Sequence, residues 1–231
     1  MSLQQMKKIL FITLSVSLIT NSLLSQTKTL TAKEIWQKCL NTLGKAETLS
    51  KVKTLSFTTI ISGTKGEYTN HVRIKYPDKL YSEDIVSGKI ISTIIINGEK
   101  GIHKSVNGTR YLAKNELKHY QETCLIFPET HYLRLGYKIE LLGIVRIFDG
   151  EYYDINFKRG TDIKRYAIDV NNFHILQLQT NGTLTIMETQ VINDVRLVTK
   201  SKFTAYNHIS HMHSFNYAVN SKIDDNIFNI K

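Results

Sequence analysis

Residues 132–176, YLRLGYKIELLGIVRIFDGEYYDINFKRGTDIKRYAIDVNNFHIL, decide the fold. Apolar and polar residues alternate with period two, the chain turns, and the alternation resumes. In an extended chain Tyr153, Ile155 and Phe157 point one way, and Tyr152, Asp154, Asn156 and Lys158 the other. Tyr166, Ile168 and Val170 repeat the pattern against Arg165 and Asp169. Breaks at Asp149-Gly150 and at Arg159-Gly160-Thr161-Asp162 predict an antiparallel meander with one apolar and one wet face. None of these side chains is arranged for chemistry. The stretch suits a surface that holds something apolar.

The same texture extends in both directions. Upstream, Leu55, Phe57 and Ile61 share one face of a strand. Val72, Ile74 and Tyr76 alternate with His71, Arg73 and Lys75 before a turn at Pro77-Asp78. A third strand runs over Leu80–Val86 to a turn at Ser87-Gly88. Ile90–Ile96 is almost wholly apolar, which predicts a central strand covered on both faces. Asn97-Gly98 and Asn107-Gly108 predict type I′ hairpins. Asn107-Gly-Thr109 and Asn181-Gly-Thr183 also match a glycosylation sequon, but the hairpin explains both better. Downstream come His174–Gln179, a hairpin at Asn181-Gly182, then Thr185–Ile192, Arg196–Tyr206 and a last strand near Phe215–Val219.

Two helices interrupt the strands. Thr31-Ala-Lys-Glu34 forms a capping box, after which Ile35, Trp36, Cys39, Leu40 and Leu43 fall on one helical face and Gly44 supplies the stop. This helix is either a plain packing element or a lid. Asn115 is placed to cap a second helix, lined by Leu117, Tyr120 and Cys124 and ending before Pro128, with a further helical turn through Glu129–Leu135. The tally is about eleven strands, in one strongly curved sheet or incomplete barrel of mainly β class.

The 231 residues suffice for one such domain, and 42% hydrophobic content is ordinary for a globular protein and favours neither disorder nor a polytopic membrane protein. Lys7-Lys8, the apolar run Ile9–Leu24 and Ser25-Gln26 read as a secretory signal peptide over residues 1–25, with Met6 an alternative start. The run is short for a bilayer span, and no Cys follows it to carry a lipid anchor. Residues 26–231 are thus expected as a single exported, soluble domain.

The net charge is +10; losing Lys7 and Lys8 with the leader brings it to about +8. Solubility accounts for much of this. Transient attraction to anionic lipid surfaces is the functional reading, and scattered basic residues argue against nucleic acid. Two cysteines, Cys39 and Cys124, both fall on apolar helix faces. Two buried thiols and a disulfide remain open, because export permits the bond.

Signatures for catalysis are missing: no G-x-S-x-G, H-E-x-x-H, phosphate loop or C-x-x-C occurs. Glu83-Asp84 and Asp224-Asp225 sit in turn-like contexts. His208, His211 and His213 could supply three nitrogens to zinc, but a polar edge or hairpin loop between the last two strands is the simpler reading, so no metal or cofactor is expected. What remains is a one-sided apolar sheet beneath an amphipathic helix, a concave site for a lipophilic ligand. The expected lining is Leu55, Phe57, Val72, Ile74, Tyr76, Ile139, Leu141, Tyr153, Ile155, Phe157, Tyr166, Ile168, Leu176 and Leu178. The competing readings are an interaction or sensor module with a filled core, which uses its outer face to bind an envelope protein, and a zinc enzyme built on His208.

The helix Thr31–Gly44, LSFTTIISGTKGEYTNHVRIKYPDKLYSEDI (55–85), IIINGEKG (94–101), YLRLGYKIELLGIVRIFDGEYYDINF (132–157) and the closing NSKIDDNIFNI (220–230) together resemble the LolA-like family of outer-membrane lipoprotein carriers, in its divergent Bacteroidetes form. The resemblance spans residues 30–231 and lies in order and texture, without an invariant motif. It implies a half-barrel of antiparallel strands wrapped over helices that act as a lid. It also implies an apolar interior that accepts the acyl chains of lipids or lipoproteins, in a periplasmic protein without enzymatic activity. The family's strand arginine that touches the lid is not carried over to Arg73.

Overall fold

The computed structural model describes residues 30–64, 66–180, 182–205 and 208–230. The expected signal peptide and Asn181 of the expected hairpin lie outside the described residues. Helix α1 (Ala32–Leu43) begins directly after Thr31 and buries Ile35, Trp36, Cys39 and Leu43. It stops at Gly44, whose φ of +150° favours a residue without Cβ. A short helix α2 (Ala46–Lys51) leads into the sheet.

The first meander is β1 (Thr54–Gly63), β2 (Gly66–Lys75), β3 (Lys79–Val86), β4 (Lys89–Asn97), β5 (Lys100–Ser105) and β6 (Gly108–Tyr111). Helix α3 (Lys114–Thr123) and a 3-10 turn at Pro128–His131 follow. The second meander is β7 (Lys138–Ile147), β8 (Gly150–Arg159), β9 (Asp162–Asp169), β10 (Ile175–Thr180), β11 (Thr183–Ile192), β12 (Val195–Ala205) and β13 (His208–Val219). The sheet thus has thirteen strands, two more than the sequence tally, in the order β6-β5-β4-β3-β2-β1-β13-β12-β11-β10-β9-β8-β7. The first strand pairs with the last, and β6 and β7 form the two edges, so the sheet is open. Residues Ala32–Lys231 form one compact unit.

Register shifts at Ser56/Thr58, Asp84/Ile85, Leu141/Gly143, Ile175/Gln177 and Glu188/Thr189 bend the strands, as bulges do, and let one sheet curl. The turns differ from expectation in their detail. Ser87–Gly88 (φ 49° and 75°) and Asn193–Asp194 (50° and 63°) have positive φ at both central residues. At Asn97-Gly98 only Gly98 does, and the loop residues are Gly98 and Glu99; at Asn107-Gly108 the loop falls one residue earlier, on Val106 and Asn107. Asn-Gly marked the hairpins but misplaced the bend.

Helix α3 starts at Lys114 rather than after Asn115; the Glu116 carboxylate accepts the Ala113 backbone N–H at 2.9 Å, closing the first turn. Ile95 and Ile96 of β4 are buried on opposite faces, but Ile90 and Ile91 are 56% and 37% exposed, so the strand is covered on both faces only over its second half. The closing 3-10 turn Asp225–Phe228 packs on β3 and β4, with Phe228 fully buried.

Candidate functional site

Direct cross-strand pairs fix which side chains share the concave face. Leu55 pairs with Ile74 and Phe57 with Val72; Ile155 pairs with Tyr166 and Tyr153 with Ile168. The alternation read from the sequence therefore assigns these faces correctly. It fails in β10. There the bulge at Ile175/Gln177 sets Ile175 opposite Ile168 and Leu178 opposite Tyr166, leaving Leu176 out of phase.

The concavity has two parts. Over β8 and β9 it is filled. Trp36 of α1 packs edge-on against Phe157 with ring centroids 4.5 Å apart, and lies 5.1 Å from Tyr166. Tyr132, just after the 3-10 turn, sits 5.2 Å from Phe157, and its hydroxyl shares a 2.9 Å hydrogen bond with that of Tyr166. Ile155, Phe157, Tyr166 and Ile168 are fully buried. Edge-to-face ring contacts and a satisfied hydroxyl pair make this a closed core.

Over β1, β2 and β10–β12 an open space remains. A cavity of about 420 Å³ is walled by Leu55, Phe57, Ile74, Ile126, Phe127, Ile175, Leu178, Met187, Leu197 and Tyr217. Phe57 and Tyr217, on the paired strands β1 and β13, stack at 5.2 Å in its wall. Ile126 contributes from an unusual backbone: its φ of 62° is an outlier for a β-branched residue, and its side chain packs against two apolar clusters, one around Leu55 and Val195 and one around Ile74 and Ile96. A second cavity of about 380 Å³ lies beside α1 and α2, lined by Leu40, Leu49, Val52, Tyr76, Leu125 and His131. Phe127 lines both cavities.

The other expected lining residues are scattered. Val72 belongs to the cluster with Ile96 and Cys124. Tyr76 stacks on His131 at 6.2 Å, under the Lys53 ammonium at 4.9 Å, in the second cavity. Ile139 and Leu141 are half-buried on edge strand β7. Tyr153 is half-buried and stacks on Phe173 at 6.0 Å. Arg73 lies 3.8 Å from Glu83 and over the Tyr81 ring, on the opposite face from Val72 and Ile74.

Charge collects at the cavity's rim. Glu122 of α3 accepts Arg159 Nη2 at 2.7 Å and Lys164 Nζ at 3.1 Å. Asp162 accepts Arg159 at 3.3 Å and the Tyr137 hydroxyl, while the Arg159 guanidinium lies 4.3 Å over the Tyr137 ring. Burial opposes the Asp162 charge, but the Tyr137 bond, Lys164 and Arg159 together hold its carboxyl below the usual range. Glu129, also in the wall, is pushed up by burial, against the weaker pull of Lys164. Arg196 donates from Nε to the Thr42 carbonyl at 3.1 Å and from Nη1 to Thr189 Oγ1 at 3.3 Å. Neither serine nor cysteine is among the described residues that line the cavity.

Cys39 and Cys124 are both free and buried, and burial pushes the Cys124 thiol up to about 12 and that of Cys39 higher still. His208 pairs with Ala205, and by alternation it faces away from His211 and His213. Among the described residues no group of three or more His, Cys, Asp or Glu is placed to hold a metal.

No protein-family model matches the sequence, and neither does any curated protein. Solved structures do. A LolA superfamily protein of Nitrosomonas europaea superposes with a TM-score of 0.60 at 13% identity, over 87% of this chain and 99% of its own. A DUF1329 family protein of Desulfovibrio piger gives 0.58 at 8% identity, over 87% and 98%. A Vibrio parahaemolyticus domain, described as that of an outer membrane lipoprotein-sorting protein, gives 0.51 at 8%, over 76% and 88%. The chain has the LolA-like fold. At these identities the fold is what is shared, and function has to come from the site. Within the LolA-like half-barrel, Ile126, Phe127, Met187, Leu197 and Tyr217 escaped the sequence reading. Ile126 and Phe127 sit in an irregular connection with no periodicity, where Pro128 was the sole local signal.

Proposed function

We propose that this is an exported, non-enzymatic lipid-binding protein that shelters an acyl chain in the half-open interior of a LolA-like sheet. The observation that carries this reading is the apolar cavity of about 420 Å³ between Leu55, Phe57, Leu178 and Tyr217, within the usual range of small-molecule sites, roughly 300–1,000 Å³. Each methylene moved from water into such a space contributes about 0.8 kcal/mol. The lipoprotein-sorting description of one structural neighbour agrees with this reading. So does the leader-like N-terminus of the sequence, which favours the periplasm. Among the described residues no helix is long and apolar enough to cross a membrane.

Fluorescence of N-phenyl-1-naphthylamine, a dye that brightens in apolar sites, tests the reading. Wild type should enhance it saturably, and folded Leu178→Asp should not, because a charge would then face the cavity. Equal enhancement by both proteins would refute the assignment. The filled core over β8 and β9, with Leu142, Ile144 and Phe148 exposed at the β7 edge, favours a second reading: a module that binds an envelope protein. It predicts no saturable dye binding.

A further inference from the structure

The cavity's walls are apolar, but its charges do not balance. Lys164 is committed to Glu122 and Asp162, and Arg159 to the same two acids. Arg165 has Asp154, and Arg73 has Glu83. Arg196 is different. It is half-buried and lines the cavity, yet no carboxylate among the described residues lies within ion-pair reach of it. Its bonds to the Thr42 carbonyl and to Thr189 Oγ1 use only two of its five N–H donors and fix the plane of the guanidinium. A half-buried guanidinium that lacks an acid and keeps donors spare is already oriented for a planar anion. Glu129, which also lines the cavity, makes no ion pair with it among the described residues. The volume adds a second constraint. About 420 Å³ is near the bottom of the range for small-molecule sites, which suits a small ligand such as one acyl chain.

Building on the lipid-binding reading, we propose that the ligand is a single-chain amphiphile with a carboxylate head, a long-chain fatty acid. Its head pairs with Arg196 at the α1 end of the cavity, and its tail lies against Leu55, Phe57, Leu178 and Tyr217. A carboxylate matches the acid-free positive charge and the flat donor fork of Arg196, and a single chain suits the size of the cavity.

The test is competition. Mature protein is loaded with cis-parinaric acid, a fluorescent polyene fatty acid, and displaced with oleate, oleyl alcohol or methyl oleate below their aggregation limits. Oleate should displace the probe roughly ten- to hundredfold more tightly than the alcohol or ester, the size of a charge-assisted bond in a sheltered site. In Arg196→Gln the advantage should vanish while alcohol binding persists, and Arg196→Lys should keep part of it. Arg196→Gln also loses its Thr42 contact, so its fold is checked by circular dichroism. If it does not fold, the acid-against-alcohol comparison in wild type still decides. Equal displacement by acid and alcohol would overturn the carboxylate anchor and leave lipid binding standing. No parinaric acid binding at all would overturn both.

Discussion

At the scale of single residues, two phenylalanines on the concave face do different work. Phe157 is fully buried against Trp36, Tyr132 and Tyr166, so Phe157→Ala should cost about 3–5 kcal/mol in urea unfolding through lost packing and a cavity. Phe57 is half-buried and faces open space. Phe57→Asp should leave a folded protein with reduced stability and no ligand binding, read by circular dichroism together with dye titration. If Phe57→Asp still binds and Phe157→Ala is as stable as wild type, the division of the concavity into plug and cavity is wrong. Glu129 carries a pH prediction. Lys164, Tyr132, Tyr166 and Cys39 face its carboxyl, and burial raises its pKa in the folded state. The unfolded chain therefore releases that proton first as pH rises through the usual carboxyl range, so the folded state loses stability from about pH 4.5 upward until the raised pKa is passed. Glu129→Gln should be more stable than wild type at pH 7.5 and no different at pH 4, measured by urea unfolding. An equal gain at both pH values would exclude titration as the cause. Residue faces were legible wherever period two held, as at Ile155, Phe157, Tyr166 and Ile168. They were lost at Ile175–Leu178, because a bulge shifts phase without leaving a mark in composition.

At the scale of elements, α3 is tied to the β8–β9 hairpin by Glu122, Arg159, Asp162, Lys164 and Tyr137. The pair Arg159–Glu122 keeps about a fifth of each side chain exposed (23% and 19%), so water screens it only in part. Removing one partner strands the other: Glu122→Gln should destabilise by about 1–3 kcal/mol. A double-mutant cycle with Arg159→Gln should return a coupling of at least about 0.5 kcal/mol. Hydrogen exchange over Leu117–Tyr137 should quicken in each single variant. Zero coupling would mean the two groups meet without holding the elements together. Helix α1 was legible from its apolar stripe and α3 apart from its start, while the short α2 was not foreseen. Their docking was not, because Trp36 reaches Tyr132, Phe157 and Tyr166 across more than ninety positions of sequence, beyond what a local pattern carries.

At the scale of the whole molecule, the open sheet follows from one long-range event, the pairing of β1 with β13. It joins two meanders and leaves β6 and β7 as free edges. Each meander was legible from alternation and turn residues. The join was not, because it pairs strands more than 140 positions apart and no local pattern marks the partner. The same join creates the cavity, since Leu55 and Phe57 come from one half and Leu178 and Leu197 from the other. The proposed shelter for a ligand is therefore a property of the assembled sheet, since both halves contribute to the cavity wall. Native mass spectrometry of the protein, purified from its host without detergent, tests this most directly. The account predicts added mass in the range of one single-chain lipid, removed by organic extraction and missing from Phe57→Asp. A bare polypeptide mass for the wild type would contradict it.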